Sequence, residues 1–173
     1  MTSPLFWHEL KLGPRITLDF GDIKIVTPDN VIFECSRCGN CCRAISADVK
    51  EADIIRLSKK LKRPPSEIAT KRPDGKLVLW HEKEYYISPQ TLTQSVSRCI
   101  FLDGEKNLCT IYEDRPAVCM TFPFHLDSNG VASFIFEKWP DYSNYCPGFY
   151  YGTPNKDRYE DYAEGLRRLL APK

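Results

Sequence analysis

Cys35-Ser36-Arg37-Cys38-Gly39-Asn40-Cys41-Cys42 is the stretch around which the rest of this 173-residue chain must be arranged. Three cysteines at two-residue gaps converge from a short loop onto one centre, with the backbone amides between them facing its sulfur atoms. Gly39 and Asn40 tolerate the positive φ angles that wrap backbone around a small object, so an irregular loop is expected here. Cys41 and Cys42 are adjacent, and neighbouring side chains of extended backbone point to opposite sides. On that reading either one of the pair is spare, or the two serve different centres.

Four more cysteines follow, Cys99, Cys109, Cys119 and Cys146, making 8 in all. The N-terminal residues, with Pro4, His8, Glu9 and Lys11, contain no apolar run long enough for a signal segment or a membrane span. A cytoplasmic protein is therefore expected, where so many cysteines point to metal or redox chemistry rather than a disulfide framework. The charge balance is near neutral, with 24 Lys plus Arg against 23 Asp plus Glu. It lacks the basic excess of a nucleic-acid binder. No nucleic-acid and no membrane partner is expected.

All eight cysteines are candidate metal ligands, enough for one or two four-thiolate sites. The triple two-residue spacing matches the first three ligands of bacterial-type ferredoxin clusters, whose remote fourth cysteine precedes a proline, as Cys146 precedes Pro147. A 4Fe-4S cluster is the leading cofactor, and Zn2+ is the competitor, since it also takes four thiolates and enters through Cys-x2-Cys knuckles. The aromatic residues Phe33, Phe101, Tyr112, Phe122 and Phe124 would shield a reducible cluster from water. Thiolates leave net negative charge, so Arg43 and Arg115 are candidate cofactor-binding cations. The plain alternative for Arg115 is a pairing with Asp114 or Glu113 that holds a turn.

Working outward, Ile16-Leu18-Phe20, Ile23-Ile25 and Val31-Phe33 read as short strands that deliver the chain to Cys35. The spacing predicts a helix over roughly 49 to 61, opened by Asp48 and Glu51 and stopped by Pro64-Pro65, with a second, shorter one beginning at Ser66. Strands are expected over Lys76 to Ile87, interrupted near His81 to Glu84, and over Val131 to Phe136. A hairpin would bring Cys99 and Cys109 together across the turn Asp103 to Asn107. Asp114-Arg115-Pro116 leads into a helical turn at Cys119. Asn155 to Leu170 forms an amphipathic helix with Tyr159, Tyr162, Ala163, Leu166, Leu169 and Leu170 as its buried stripe. The expected fold is α+β: a small irregular single domain over 1–173, with short antiparallel strands, two or three helices and metal-organised loops.

Three other features have a functional and a plain reading. His125 follows the Cys119 segment and is either a ligand or proton donor, or a partly buried structural histidine. His8 and His81 lie far in sequence from any cysteine. Tyr142, Tyr145, Phe149, Tyr150 and Tyr151 surround Cys146 as a substrate wall or as a cap. Lys59, Lys60, Lys62 and Arg63 are the solvated end of a helix, or a docking patch for an acidic partner.

These residues together resemble the Cys-x2-Cys-x2-Cys-Cys family, the YkgJ-like zinc- or iron-chelating domain. The matching pieces run from Phe33 to Arg43, Cys99 to Asp103, Cys109 to Cys119, Phe122-Pro123-Phe124 and Cys146-Pro147-Gly148. They span about residues 31 to 150. The resemblance implies a cysteine-ligated centre in a small cytoplasmic prokaryotic protein, commonly labelled an iron-sulfur oxidoreductase with no established substrate. The cysteine motif is also similar to that of flagellin lysine N-methylase, an S-adenosylmethionine-dependent enzyme that is considerably longer. No G-x-G-x-x-G nucleotide loop follows a strand here, so methyl transfer does not carry over on the cysteines alone. The expected function is electron transfer or cluster-assisted catalysis with a redox partner. Its alternative is an accessory module, with structural zinc or a structural cluster, that recruits a protein partner.

Overall fold

The computed structural model describes residues 4–44, 48–88, 91–139 and 146–171. The strands in chain order are β1 (Arg15–Asp19), β2 (Lys24–Pro28), β3 (Val31–Phe33), β4 (Ala69–Lys71), β5 (Leu77–Leu79), β6 (His81–Ser88), β7 (Thr91–Cys99), β8 (Phe124–Leu126), β9 (Val131–Phe134) and β10 (Phe149–Tyr151). The helices are α1 (Asn40–Ala44), α2 (Glu51–Leu61), α3 (Ala117–Thr121), α4 (Ile135–Lys138) and α5 (Lys156–Leu170). The fold is α+β. Of the five helices among the described residues, only α2 and α5 exceed two turns, and these are the two that periodicity predicts. No helix of the described residues is long and apolar enough to cross a membrane.

The chain packs as two compact units, Met1–Ser36 with Ala117–Pro172, and Arg37–Pro116. In the first unit a four-stranded sheet runs in the order β1-β2-β9-β8. The β1–β2 hairpin turns at Gly21, whose φ of 91° suits glycine, and Asp19 Oδ1 accepts the Gly21 N–H at 2.8 Å. β9 pairs antiparallel with β8 but parallel with β2, through Lys24↔Val131 and Ile25↔Ala132. This long-range contact departs from the expected all-antiparallel layout. β9 also stops at Phe134, and Ile135 and Phe136 continue as α4 rather than strand.

Aromatic rings fill this unit's core. Phe134 lies 5.0 Å from Trp7, 4.7 Å from Phe124 and 5.2 Å from Phe149, ring centre to ring centre. α5 closes the core with Tyr159, Ala163 and Leu166, spaced i, i+4, i+7 and fully buried, whereas Leu170 at the helix end is exposed. Asn155 caps the helix by accepting the Arg158 N–H at 3.0 Å. Gly165 lets α3 approach closely, because a Cβ there would stand 3.0 Å from Met120 Cβ and from Thr121 Cγ2.

In the second unit α2 buries Ile54 and Leu57 and ends at Lys62 in the left-handed conformation. Its N-cap is Lys50, without a side-chain cap. Asp48 bridges to Val78 on β5 and pairs with Arg72 at 2.6 Å and Lys76 at 2.9 Å. It thus serves the sheet edge rather than opening the helix. Pro65–Glu67 makes a 3-10 turn instead of a second helix, and the chain then enters β4, which pairs with β5. β6 pairs with β7 from His81↔Cys99 to Ser88↔Thr91, so His81 to Glu84 is strand; the interruptions fall instead at Trp80, between β5 and β6, and at a register shift between Tyr86 and Ser88.

Candidate metal centre

The cysteine run leaves β3 and enters the second unit. Arg37 takes φ 56° and Gly39 φ 73°, two left-handed turns that reverse the chain before α1. Only glycine fits at 39, since a Cβ would lie 2.9 Å from both Asn107 Oδ1 and Leu102 Cδ1.

Because Cys41 and Cys42 sit in α1, their side chains diverge by about 100° rather than 180°. Their sulfurs are 4.0 Å apart. The expectation that the adjacent pair must face opposite sides is corrected here, and the reason is helical rather than extended backbone. Two sulfurs about 2.3 Å from one tetrahedral ion stand about 3.8 Å apart, so this pair fits a shared ion.

Cys99 ends β7 in the same unit. The chain then turns through Phe101, and Cys109 returns opposite Leu102, with the Thr110 N–H donating to Phe101 O at 2.8 Å. The hairpin forms, but its cross-strand partner for Cys109 is Leu102. Cys99 still feels both neighbours. Burial pushes its thiol up to about 12, the Phe101 N–H opposes this, and the charges of Cys42 and Cys109 add to it. Cys42 is held at about 7 by the Cys41 thiol, against burial and with help from Arg43. Four sulfurs, Cys41, Cys42, Cys99 and Cys109, therefore share one electrostatic neighbourhood.

Among the described residues no three His, Cys, Asp or Glu side chains stand close enough to hold one ion as they are. The donor set itself is all sulfur, which suits a soft ion such as zinc or iron in an iron-sulfur cluster.

The other cysteines divide between the units. Cys38, on the same loop, is half-buried in the second unit. In the first unit Cys35 continues off β3 and Cys146-Pro147 leads into β10. These strands pair through Phe33↔Phe149, and the Glu34 N–H donates to Gly148 O at 2.9 Å, which puts Cys35 and Cys146 at neighbouring ends of one ladder. Cys146 is buried in the aromatic core and Cys119 is exposed on α3. Among the described residues, which include all eight cysteines, there is no disulfide.

The candidate cations have defined places. Arg115 lies over the Tyr112 ring at 3.8 Å, and Arg37 is also 3.8 Å from that ring centre. Asp114 is paired with Lys60 at 2.6 Å and with Arg56 at 3.8 Å. Glu113 faces Arg37 at 3.7 Å, a wide and exposed pair. The Arg43 guanidinium donates to Asn107 Oδ1. Sequence reasoning passed over Arg37, Tyr112 as a platform, and Asn107; the one available signal was Asn107 closing a turn directly before Leu108-Cys109.

Of the shielding aromatics, Phe101 is buried in the second unit, while Phe33, Phe122 and Phe124 belong to the first unit's ring cluster. His125 stands edge-on to Trp139 at 4.9 Å and 3.4 Å from Lys138 Nζ, and burial and that cation lower its pKa. His81 contacts Leu79 O at 2.9 Å. Phe149 is a core residue, Tyr150 is partly buried and Tyr151 is exposed, whereas Tyr142 and Tyr145 lie outside the described residues.

No solved structure matches the chain. Among curated proteins, the uncharacterized protein MJ0661 of Methanocaldococcus jannaschii is 29% identical over 150 residues, covering 82% of this chain and 72% of the relative. The family model described as CxxCxxCC, "putative zinc- or iron-chelating domain", matches residues 34–147, from the residue before Cys35 to the proline after Cys146. All eight cysteines fall inside that match, which supports metal binding by cysteines, and the chain belongs to the CxxCxxCC family.

Proposed function

We propose that the thiols of the second unit hold an iron-sulfur cluster and that the protein passes electrons to a redox partner or uses the cluster in catalysis. The observation that carries this reading is the placement of five cysteines, Cys38, Cys41, Cys42, Cys99 and Cys109, in the second unit, with the Cys41 and Cys42 sulfurs 4.0 Å apart. That is one thiol more than a structural zinc site requires. Arg43 beside Cys42 supplies positive charge against a thiolate-rich centre. With a cluster bound, these residues would act as ligands and charge partners. The half-buried setting would tune the potential and limit water access.

A second reading is favoured by one distance. The 4.0 Å separation of the Cys41 and Cys42 sulfurs suits two thiolates on a single ion better than two on neighbouring irons of a cubane, whose ligand sulfurs splay outward. A zinc ion on Cys41, Cys42, Cys99 and Cys109 would make the unit a structural module that recruits a protein partner. Metal and sulfide analysis with a visible spectrum, on protein purified without oxygen from iron-supplied cells, separates the two. Iron with acid-labile sulfide and a colour that bleaches on reduction sustains the first. Colourless protein with stoichiometric zinc replaces it with the second.

A further inference from the structure

We infer that Asn107 is a positioning residue for the metal centre, fixing the thiolate loop and the Arg43 guanidinium with a single side-chain amide. The inference rests on the metal-binding reading above and concerns what holds the ligands in place. Asn107 Nδ2 donates to the backbone carbonyl of Cys38, and Asn107 Oδ1 accepts from Arg43 Nη1. The orientation of the amide is set by its partners, because a carbonyl only accepts and a guanidinium only donates. One planar group therefore spans the loop between Cys38 and the residue directly after Cys42.

The base from which Asn107 acts is rigid. Its own backbone has φ 55°, a left-handed conformation that asparagine tolerates better than most residues. Its N–H donates to Asp103 O at 2.9 Å. Asp103 Oδ1 accepts from the Glu105 and Lys106 N–H groups, each at 2.9 Å, which stiffens the turn from Asp103 to Leu108. Gly39 completes the fit, as any Cβ there would strike Asn107 Oδ1. The amide thus ties the turn before Cys109 to the loop that carries Cys38, Cys41 and Cys42. It also stations the Arg43 charge at Cys42. Groups of this kind orient ligands without touching the metal, and losing one costs about 10- to 100-fold in metal affinity.

The test is a Co2+ titration of the full apo chain, read by thiolate-to-cobalt charge-transfer absorption, which reports thiolate ligation of a single ion. Asn107→Gly keeps the left-handed backbone and removes the amide. It is expected to weaken cobalt binding about tenfold or more, with reduced charge-transfer intensity. Asn107→Asp keeps the acceptor for Arg43 but turns the donor facing the Cys38 carbonyl into a second carboxylate oxygen, so it should also weaken cobalt binding, and it gives a second variant if the glycine form folds poorly. Because Asn107 acts partly through Arg43, Asn107→Gly and Arg43→Gln should combine to less than the product of their separate effects. Undiminished cobalt affinity and an unchanged spectrum in both Asn107 variants would overturn the role of Asn107 while leaving the metal centre standing. Absence of thiolate–cobalt absorption from the unaltered protein would overturn a single-ion thiolate site and this inference with it.

Discussion

The two units are held together by different means. The first buries a cluster of aromatic side chains between a four-stranded sheet and α5, with Trp7, Phe33, Phe134, Phe136, Phe149 and Tyr159 at or near full burial. In the second, Phe101 is the one buried aromatic side chain among the described residues, and the rest of its buried apolar surface is mostly aliphatic: Ile54, Leu57, Ile68, Val78, Leu79. Its remaining ties are polar, such as the Asp53–Arg56 pair at 3.0 Å and the Asp48, Arg72 and Lys76 group at the sheet edge. Five of the eight cysteines lie there. Ring packing supplies a core outright, whereas a unit stabilised by aliphatic contacts and ion pairs, most of them at the surface, leaves a role for metal ligation.

The largest effect should come from removing metal. Strong chelation is expected to collapse amide protection in residues 48–79 and 98–114 by orders of magnitude in hydrogen exchange, while β1, β2, β8 and β9 keep theirs. Equal loss in both units would break the contrast. Next in size is Phe134→Ala, which opens a cavity in the ring cluster and should cost about 3–5 kcal/mol in urea unfolding, with metal content unchanged. Metal loss in that variant would show the two units to be interdependent.

Tyr159→Phe is smaller and sharper. The Tyr159 hydroxyl accepts the buried Phe33 N–H at 3.0 Å, so its removal orphans a donor and should cost about 1–3 kcal/mol without altering the side-chain volume appreciably. The smallest change is expected from Asp114→Asn. It removes the carboxylate that faces Lys60 and Arg56 at the surface of the second unit, and it should cost less than about 1 kcal/mol by the same unfolding measurement. A loss several times larger would show the polar ties of that unit to be stronger than their exposure implies.

What could be read from the residues follows from range along the chain. α2 and α5 are legible because their burial is periodic and local, and Asn155 announces α5 by its capping chemistry. The β1–β2 hairpin is legible from alternation around Gly21-Asp22. β7 is not, since Thr91 to Arg98 is a run of mostly small polar residues with little apolar alternation, and it is strand because β6 pairs with it. The parallel β2–β9 contact joins residues more than a hundred positions apart and leaves no local trace. At the site, the cysteines and arginines were legible by type, but α1 was hidden by Gly39 and by two adjacent cysteines that carry no helical pattern. The 4.0 Å sulfur approach depends on that helix.

The β3–β10 pair has a consequence for how the matched segment is closed. The family match begins at residue 34 and ends at 147, immediately inside strands that lie side by side, with Phe33 opposite Phe149. Neighbouring strands are about 4.8 Å apart, so the two ends of the matched segment enter and leave through almost the same point. Adjoining ends do not make the stretch free-standing, because β9 inside it pairs with β2 outside it in one four-stranded sheet. Trimmed to the match alone, the same stretch would lose the clasp that joins its ends and would pay the entropy of closing a loop more than a hundred residues long.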